Sequence, residues 1–330
     1  MTSNLPLVRL GAANPFLIEL QRRKLAVADL LRDLDLPENI PASNELFVSS
    51  DVMYRIVEES SELADDPYLG FTVGQKVELR DWAPIATAAE RANTLGDLLN
   101  HFIFNAMDHS SFTRYFLRTE GDSTTFGFRR LTTPSLVLAQ NDAFYLGLLI
   151  KVLAKAAKDQ WDPSVVLFKV VDPDAVPPLP DSFRIAKGDN LGMQIRFPVT
   201  WLFESIEKSS FSVSVAISED KKLPSSLLES LHLALLPHIH ELDLNVERAA
   251  KICGFDKRRL SSQLRSRGTT LGKEIAALRA RQAQNGLVNS NKRIFDIAQS
   301  VGFKDPTVFS RAFRNWTGQS PQAYRKTHRN

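Results

Sequence analysis

Small and apolar residues recur with helical spacing near the carboxyl end of the chain. Two groups of four occupy positions i, i+3, i+4 and i+7, at an offset of 48 residues from each other: Val246, Ala249, Ala250 and Cys253, then Ile294, Ile297, Ala298 and Val301. This spacing puts each group on one face of a helix. Both groups run directly into a Gly-Phe pair, so the pattern predicts an internal repeat of a short helix followed by a sharp turn.

A second helix is predicted after each turn. Asp256 can cap the first, whose apolar face is Leu260 and Leu264, and Asp305 can cap the second, with Pro306 in its first turn. The apolar face of that second helix is Phe309, Ala312, Phe313 and Trp316, and the offset between the copies has grown to 49 residues. Residues 271–287 predict a connecting helix between the two copies.

Residues 1–224 alternate between helical and strand-like patterns. Helical spacing covers 16–34, 51–63, 95–107 and 136–157, and period-two alternation covers 111–119, 124–130, 165–171, 193–197 and 211–217. Residues 172–180 are Pro-rich and predict a loop. The expected architecture is an α+β N-terminal domain (1–224), a linker (225–237) and an all-α domain (238–330) in which a connecting helix joins two helix-turn-helix units.

Composition restricts the class of protein. The chain has 330 residues, 43% of them hydrophobic and 24% charged, as is ordinary for a globular protein of about two domains. Its longest apolar stretch is eight residues, far below the roughly 20 that span a membrane. With one cysteine, Cys253, and no visible secretory signal, a cytoplasmic protein without disulfides is expected.

Charge is distributed unevenly along the chain. Residues 245–330 contain 18 basic and 5 acidic residues, a net charge of +13, whereas residues 1–244 carry a net charge of −10. A small, strongly basic domain is typical of a protein that binds the phosphate backbone of DNA.

The predicted second helix of each unit places polar residues on its outward side. These candidate DNA-binding residues are Lys257, Arg258, Ser261, Ser262 and Arg265 in the first unit and Thr307, Ser310, Arg311 and Arg314 in the second. Arg can bond guanine bidentately, Ser and Thr can reach base edges or phosphates, and Lys usually binds the backbone. With a rigid connecting helix, the two units are expected to enter successive major grooves about 34 Å apart.

No catalytic or metal-binding constellation is visible, and no cofactor is expected. Only His238 and His240 are close together, at a spacing that puts them on different helical faces, and Cys253 fits a core position better than a reactive one. Aromatic residues of the predicted strands could line an apolar effector pocket or form core: Phe112, Tyr115, Phe116, Phe126 and Phe128. The residues of any effector site are not predicted.

Residues 238–330 resemble the DNA-binding domain of the AraC/XylS family of bacterial transcription regulators. The likeness is densest from Ile294 to Tyr324 and includes Ala298, Gly302, Phe303, Phe309, Arg311, Phe313, Gly318 and Pro321. The resemblance implies that the second helix of each unit contacts promoter DNA, through Arg258, Ser261, Ser262 and Arg265 and through Thr307, Ser310 and Arg311. Ser261 and Ser262 are small where family members often have larger polar side chains.

The N-terminal region resembles, more loosely, the arabinose-binding-like regulatory domain attached to some of these regulators. The similarity is carried by four short segments at residues 11–15, 65–74, 93–97 and 161–163. It implies an activator that is controlled by a small-molecule effector, recruits RNA polymerase and can form a homodimer. Two alternatives stay open for this region: a domain that binds a protein partner and no small molecule, and a catalytic domain tethered to DNA.

Overall fold

A computed structural model describes residues 5–34, 36, 46–79, 83–106, 110, 112–207, 224 and 226–328. The chain divides into two compact units. The N-terminal unit is Pro6–Leu223, and the C-terminal unit is Pro224–Asn330 together with Met1–Leu5.

Two β-sheets are formed by the described residues of the N-terminal unit. Strands β1 (Leu7–Arg9) and β2 (Phe47–Ser49) form an antiparallel pair. The larger sheet has the strand order β3-β4-β7-β5-β6, and its strands are β3 (Thr113–Glu120), β4 (Ser123–Arg130), β5 (Leu167–Val170), β6 (Arg184–Lys187) and β7 (Gln194–Pro198). Neighbouring strands are antiparallel except β5 and β6, which are parallel.

The described residues of this unit also form seven α-helices. They are α1 (Asn14–Arg22), α2 (Val27–Asp33), α3 (Ser50–Ala64), α4 (Leu69–Lys76), α5 (Ala83–Glu90), α6 (Leu95–Ala106) and α7 (Ala139–Ala157). Helices α4 and α7 pack backbone against backbone, because a Cβ on Gly147 would lie 2.6 Å from the carbonyl oxygen of Phe71. The glutamine Gln140 reinforces this contact, since its side chain accepts from the Gly70 N–H and donates to the Pro67 carbonyl oxygen, both at 2.8 Å.

The predicted α+β class of this unit is confirmed, with local corrections. The helix predicted over 16–34 is two helices, because Lys24 adopts a left-handed conformation (φ 59°) between them, and no Gly or Pro announces that break. Helices α4 and α5 and strand β6 were not predicted, since their apolar residues follow neither period over a long enough stretch. The strand predicted over 211–217 lies outside the described residues.

The C-terminal unit is helical throughout its described residues. Its helices are α8 (Leu227–Leu235), α9 (Val246–Ile252), α10 (Lys257–Arg265), α11 (Leu271–Asn289), α12 (Ile294–Ser300), α13 (Pro306–Thr317) and α14 (Pro321–His328). Helix α11 packs against α8, α12, α13 and α14. Its buried residues are Leu271, Ile275, Leu278, Ala283 and Leu287.

Both predicted helix-turn-helix units are present with matching turns. Gly254 and Gly302 have φ values of 61° and 80°, which glycine adopts at low cost. In each turn the following Phe N–H donates to the carbonyl five residues back, Phe255 to Ala250 and Phe303 to Ala298, both at 2.9 Å. The repeated sequence therefore produces the same helix termination twice.

The predicted linker at 225–237 is corrected by the structure. Nine of its residues form α8, which Ser226 caps by accepting from the Glu229 N–H at 3.2 Å. Leu227, Leu231 and Leu235 are buried, and His232 of α8 pairs with Glu274 of α11 at 2.8 Å. The segment is thus an amphipathic helix of the C-terminal unit and not a linker. Among the described helices of both units, none combines the length and apolarity that crossing a bilayer requires.

Candidate nucleic-acid interface

The second helices of the two units, α10 and α13, each expose one polar face. An α-helix turns by about 100° per residue, so the side opposite a buried pair is fixed by that pair. In α10 the buried pair is Leu260 and Leu264, and in α13 it is Phe309 and Phe313. The opposite side carries Arg258, Ser262 and Arg265 in α10 and Thr307, Arg311 and Arg314 in α13, all six of them exposed. The structure therefore brings six of the nine sequence-predicted residues onto two outward faces.

The other three predicted residues lie at the margins of these faces. Lys257 forms an ion pair with Glu247, the second residue of α9. Ser261 and Ser310 occupy equivalent half-buried positions, and the Ser310 hydroxyl donates to the Pro306 carbonyl oxygen at 2.8 Å. These side chains are less free to reach a ligand than the six on the outward faces.

Four more exposed residues on the outward faces were missed by the sequence reasoning. They are Arg259 in α10, Ser266 directly after α10, and Val308 and Asn315 in α13. The offset of 49 residues between the helices pairs Arg259 with Val308 and Ser266 with Asn315. Applying the rotation of about 100° per residue to every position of the two helices would have found them.

The two outward faces are cationic. Neither α10 nor α13 contains an acidic residue, and together they carry Lys257 and five arginines. Of the nine predicted residues, Lys257 alone is in an ion pair within the described part of the chain. The guanidinium of Arg259 lies 4.7 Å from the ring centroid of Phe255, a cation–π contact that holds it against the turn. Such faces present arginine donors to an anionic surface without internal neutralisation.

Local capping fixes where the two helices begin. The Asp256 carboxylate accepts from the N–H groups of Arg258 and Arg259 at 2.8 and 3.1 Å, and Asp305 accepts from the Thr307 N–H at 2.6 Å. Helix α13 ends at Thr317, and Gly318, which follows it, has a φ of 79°. Both caps satisfy N–H groups that have no partner inside the helix.

Arg279 of α11 connects the two helix-turn-helix units. Its Nε donates to the Ile239 carbonyl oxygen at 3.1 Å and its Nη2 to the Glu241 carbonyl oxygen at 2.7 Å, just before the first unit. The guanidinium also lies 5.6 Å from the ring centroid of Phe303, in the turn of the second unit. Burial lowers the pKa of Arg279. A Cβ on Gly302 would meet the Ile239 carbonyl oxygen at 2.7 Å, so this turn needs glycine for space as well as for φ.

An ionic network precedes the first unit. The Glu241 carboxylate accepts from Arg248 Nε at 2.8 Å and lies 2.7 Å from His238 Nδ1. Hydrogen bonding by Arg248, with a further contribution from His238, lowers the pKa of Glu241 to about 2. This network ties the segment before α9 to α9 itself.

Comparison with known proteins identifies the family of this architecture. Residues 240–327 match the model of a helix-turn-helix domain, and residues 25–185 match the model of the arabinose-binding domain of AraC transcription regulators. The regulatory protein SoxS of Salmonella typhimurium is 35% identical over 83 residues, which are 25% of this chain and 78% of SoxS. This chain belongs to the AraC/XylS family of transcription regulators. The families and relatives that it matches are regulators and not enzymes.

Two further similarities are to other regulatory proteins. The transcriptional activator NphR of Rhodococcus sp is 30% identical over 91 residues, which are 28% of this chain and 27% of NphR. The DNA-binding domain of AdpA, crystallised with a target DNA, is 30% identical with a TM-score of 0.28, covering 30% of this chain and 90% of that one. The chain spans about a quarter of the length of the first curated relatives that it matches.

The N-terminal unit of this AraC/XylS protein holds a packed aromatic cluster. The Tyr115 ring lies 5.0 Å from Phe102 and 5.5 Å from Phe128, and its hydroxyl is 2.8 Å from that of Tyr145. Phe112, Phe126 and Phe128 are buried. Distances of this size between ring centroids are those of a packed core. The core interpretation is therefore favoured over a preformed pocket for Phe112, Tyr115, Phe126 and Phe128, whereas Phe116 is half-buried outside this cluster.

A buried ion pair lies beside the aromatic cluster. Arg130 Nη2 donates to Asp142 Oδ1 at 2.6 Å, with side-chain exposures of 1% and 0%, and Arg130 stacks over the rings of Tyr54 and Phe128. Nearby, Glu58 accepts from the Gln140 and Asn141 N–H groups at 3.0 Å each, and burial raises its pKa to about 7. These contacts hold the start of α7 against α3 and the sheet.

Cys253, which directly follows α9, is a core residue, as predicted. It is buried, and burial raises the pKa of its thiol to about 12, which keeps it protonated and unreactive. Among the described residues, no group of His, Cys, Asp and Glu side chains is arranged to hold a metal ion.

Proposed function

We propose that this regulator binds double-stranded promoter DNA through α10 and α13, using Lys257, Arg258, Ser261, Ser262, Arg265, Thr307, Ser310, Arg311 and Arg314. The observation that carries the proposal is the pair of outward faces that are rich in arginine and free of acidic residues. Helices of this kind fit the major groove, where arginine can bond guanine and phosphate oxygens hold the register. Lys257, Ser261 and Ser310 take supporting roles at the margins of these faces.

The proposed control element is the N-terminal unit, which binds a small-molecule effector and changes how the C-terminal unit engages a promoter. The match of residues 25–185 to an arabinose-binding domain supports this assignment of the unit, though not arabinose as its ligand. We propose activation through RNA polymerase as the output, since one relative is named a transcriptional activator. A homodimer is part of the same proposal, and its site of action is the cytoplasm.

The test of DNA binding uses the full-length protein, DNA from upstream of its own gene and neighbouring genes, and a salt titration. Footprints over two segments about one helical turn apart are expected, with affinity that falls as salt rises. An Arg311→Ala variant should bind more weakly. Arg118→Ala removes an exposed arginine from β3 of the N-terminal unit and is the control that should bind normally. Absence of any protected segment at low salt would refute the proposal.

The test of effector control measures the thermal stability of the full-length protein against a metabolite collection. A ligand at 100 times its dissociation constant should add about 2.7 kcal/mol of stability. The same ligand should change DNA affinity. If no small molecule stabilises the protein but a protein partner alters its DNA binding, the alternative of a protein-binding regulatory domain replaces effector control.

A further inference from the structure

The outward faces of α10 and α13 are equivalent in position but differ in chemistry. At an offset of 49 residues, Arg258 corresponds to Thr307, Arg259 to Val308 and Ser262 to Arg311. The α10 face therefore combines cations with small hydroxyls. The α13 face combines a hydroxyl, an apolar side chain and an arginine within its first two turns.

Val308 is the unusual member of the α13 face. Its side chain is 52% exposed, whereas Phe309 and Phe313 of the same helix are buried on another side. It stands in the first turn of α13, next to Thr307 and one turn before Arg311. The first turn of a recognition helix is the part that comes closest to base edges.

The apolar group that the major groove offers is the methyl of thymine. We propose that Val308 recognises a thymine methyl in the half-site bound by α13, and that the half-site bound by α10 has no such recognition. This inference rests on the proposed function and assigns its base specificity. Thr307 and Arg311 flank Val308 and supply the polar contacts of the same half-site.

The corresponding position in α10 is unsuited to a thymine methyl. Arg259 carries a charge there, and its guanidinium stacks on the Phe255 ring at 4.7 Å. Together with Arg258 and Arg265, it makes the α10 face better suited to phosphate oxygens than to a methyl group. The two half-sites therefore differ because α10 has Arg259 at the position where α13 has Val308.

The experiment compares thymine with uracil, which lacks only the methyl group. A binding site is first selected from a random duplex pool with the full-length protein, and each thymine is then replaced singly by uracil. In the unmodified protein, uracil at one or two positions of one half-site should weaken binding roughly fourfold, the value of one buried carbon group. Val308→Ala should lose a similar factor on the thymine site and should bind thymine and uracil sites equally.

Two further variants keep this test decisive. Arg259→Ala should weaken thymine and uracil sites by the same factor, because it removes a cation and its stacking on Phe255 but no contact to a thymine methyl. Val308→Ile keeps an apolar branched side chain and should keep the thymine preference, which shows that the helix is intact. Thermal unfolding of Val308→Ala should match that of the unmodified protein, since the residue is half exposed.

The possible contrary results are separable. A uracil effect that persists in Val308→Ala, or a unmodified protein that ignores uracil everywhere in its selected site, overturns the inference and leaves DNA binding intact. Failure to select any preferred duplex overturns the proposed function itself, and the inference with it.

Discussion

In the first helix-turn-helix unit, α9 with α10, the second helix buries aliphatic side chains. In the second unit, α12 with α13, the second helix buries aromatic rings. Leu260 and Leu264 are the buried residues of α10. At the equivalent positions of α13, Phe309 and Phe313 lie 5.7 Å apart between ring centroids, and Phe313 also contacts Tyr324 of α14 at 5.3 Å. The glycine turns and the aspartate caps of the second helices are nevertheless alike in both units. The comparison shows that this motif requires its turn geometry and a filled interior, and leaves the choice of interior and outward residues free.

The largest expected effect comes from emptying the interior of each unit. Phe313→Ala should destabilise the second unit by about 3–5 kcal/mol, because it leaves a cavity and removes ring contacts to Phe309 and Tyr324. Leu264→Ala in the first unit should cost about 2–4 kcal/mol, since a smaller volume is lost. Hydrogen exchange resolved by peptide, measured on the full chain, reports the opening of each unit separately.

This pair of variants also tests whether the units are energetically distinct. We expect Phe313→Ala to lower protection mainly in α12, α13 and α14, and Leu264→Ala mainly in α9 and α10. Equal loss of protection in all five helices after either change would show that the two units open as one body.

A smaller effect is expected from removing the bridge between the units. Arg279→Met keeps much of the side-chain volume but leaves the Ile239 and Glu241 carbonyls without this donor and removes the contact to Phe303. The expected loss is about 2 kcal/mol, measured by the same exchange experiment. Arg281→Met, an exposed residue two positions along α11, is the matched control and should change little. If Arg279→Met and Arg281→Met behave alike, the bridge does not stabilise the unit.

Substitutions on the two outward faces should differ in the kind of DNA contact that is lost. Arg311→Ala should cost roughly 1–3 kcal/mol of binding and relax the preference for one base, if it contacts guanine as proposed. Arg265→Ala, on the α10 face, should weaken all sequences alike and lower the magnitude of the salt slope by about one. Binding to the selected site and to single-base variants over a range of salt measures both quantities. A uniform loss from Arg311→Ala would assign it to phosphate instead.

Much of the C-terminal unit could be predicted because its signals are local. Gly254 and Gly302 end helices by their conformation, and Asp256 and Asp305 begin them by capping, so the boundaries follow from short stretches of sequence. Helix α8 was not recognised, because its membership of this unit depends on leucines that are buried against distant residues.

The N-terminal unit was harder to predict for the same reason. The break between α1 and α2 at Lys24 and the close packing of α4 on α7 depend on tertiary contacts. In the candidate interface, helical spacing predicted which residues face outward. The pairing of Lys257 with Glu247 and the half-burial of Ser261 and Ser310 needed coordinates.

The smallest expected effect concerns the acidic residue associated with the first helix of each unit. Glu241 pairs with Arg248, with side-chain exposures of 18% and 20%, whereas Asp296 pairs with Arg293, with exposures of 34% and 80%. Because hydrogen bonding holds the folded-state pKa of Glu241 near 2, below the ordinary 4.5, its stabilising contribution is complete above pH 4.5 and is lost as the pH falls toward 2. After allowance for solvent screening, this contribution is about 1 kcal/mol.

Glu241→Gln should therefore destabilise the first unit at pH 7 and flatten its stability between pH 4.5 and 2. Asp296→Asn is the matched change in the second unit, where hydrogen bonding by Arg293 also lowers the pKa of the carboxyl group. Because that pair is exposed to solvent, the substitution should leave the acid profile of its unit unchanged. Hydrogen-exchange protection of both variants, measured from pH 7 to pH 2, tests whether the two units differ in acid sensitivity. Equal acid sensitivity in the two units would mean that the Glu241 network is no more stabilising than a surface ion pair.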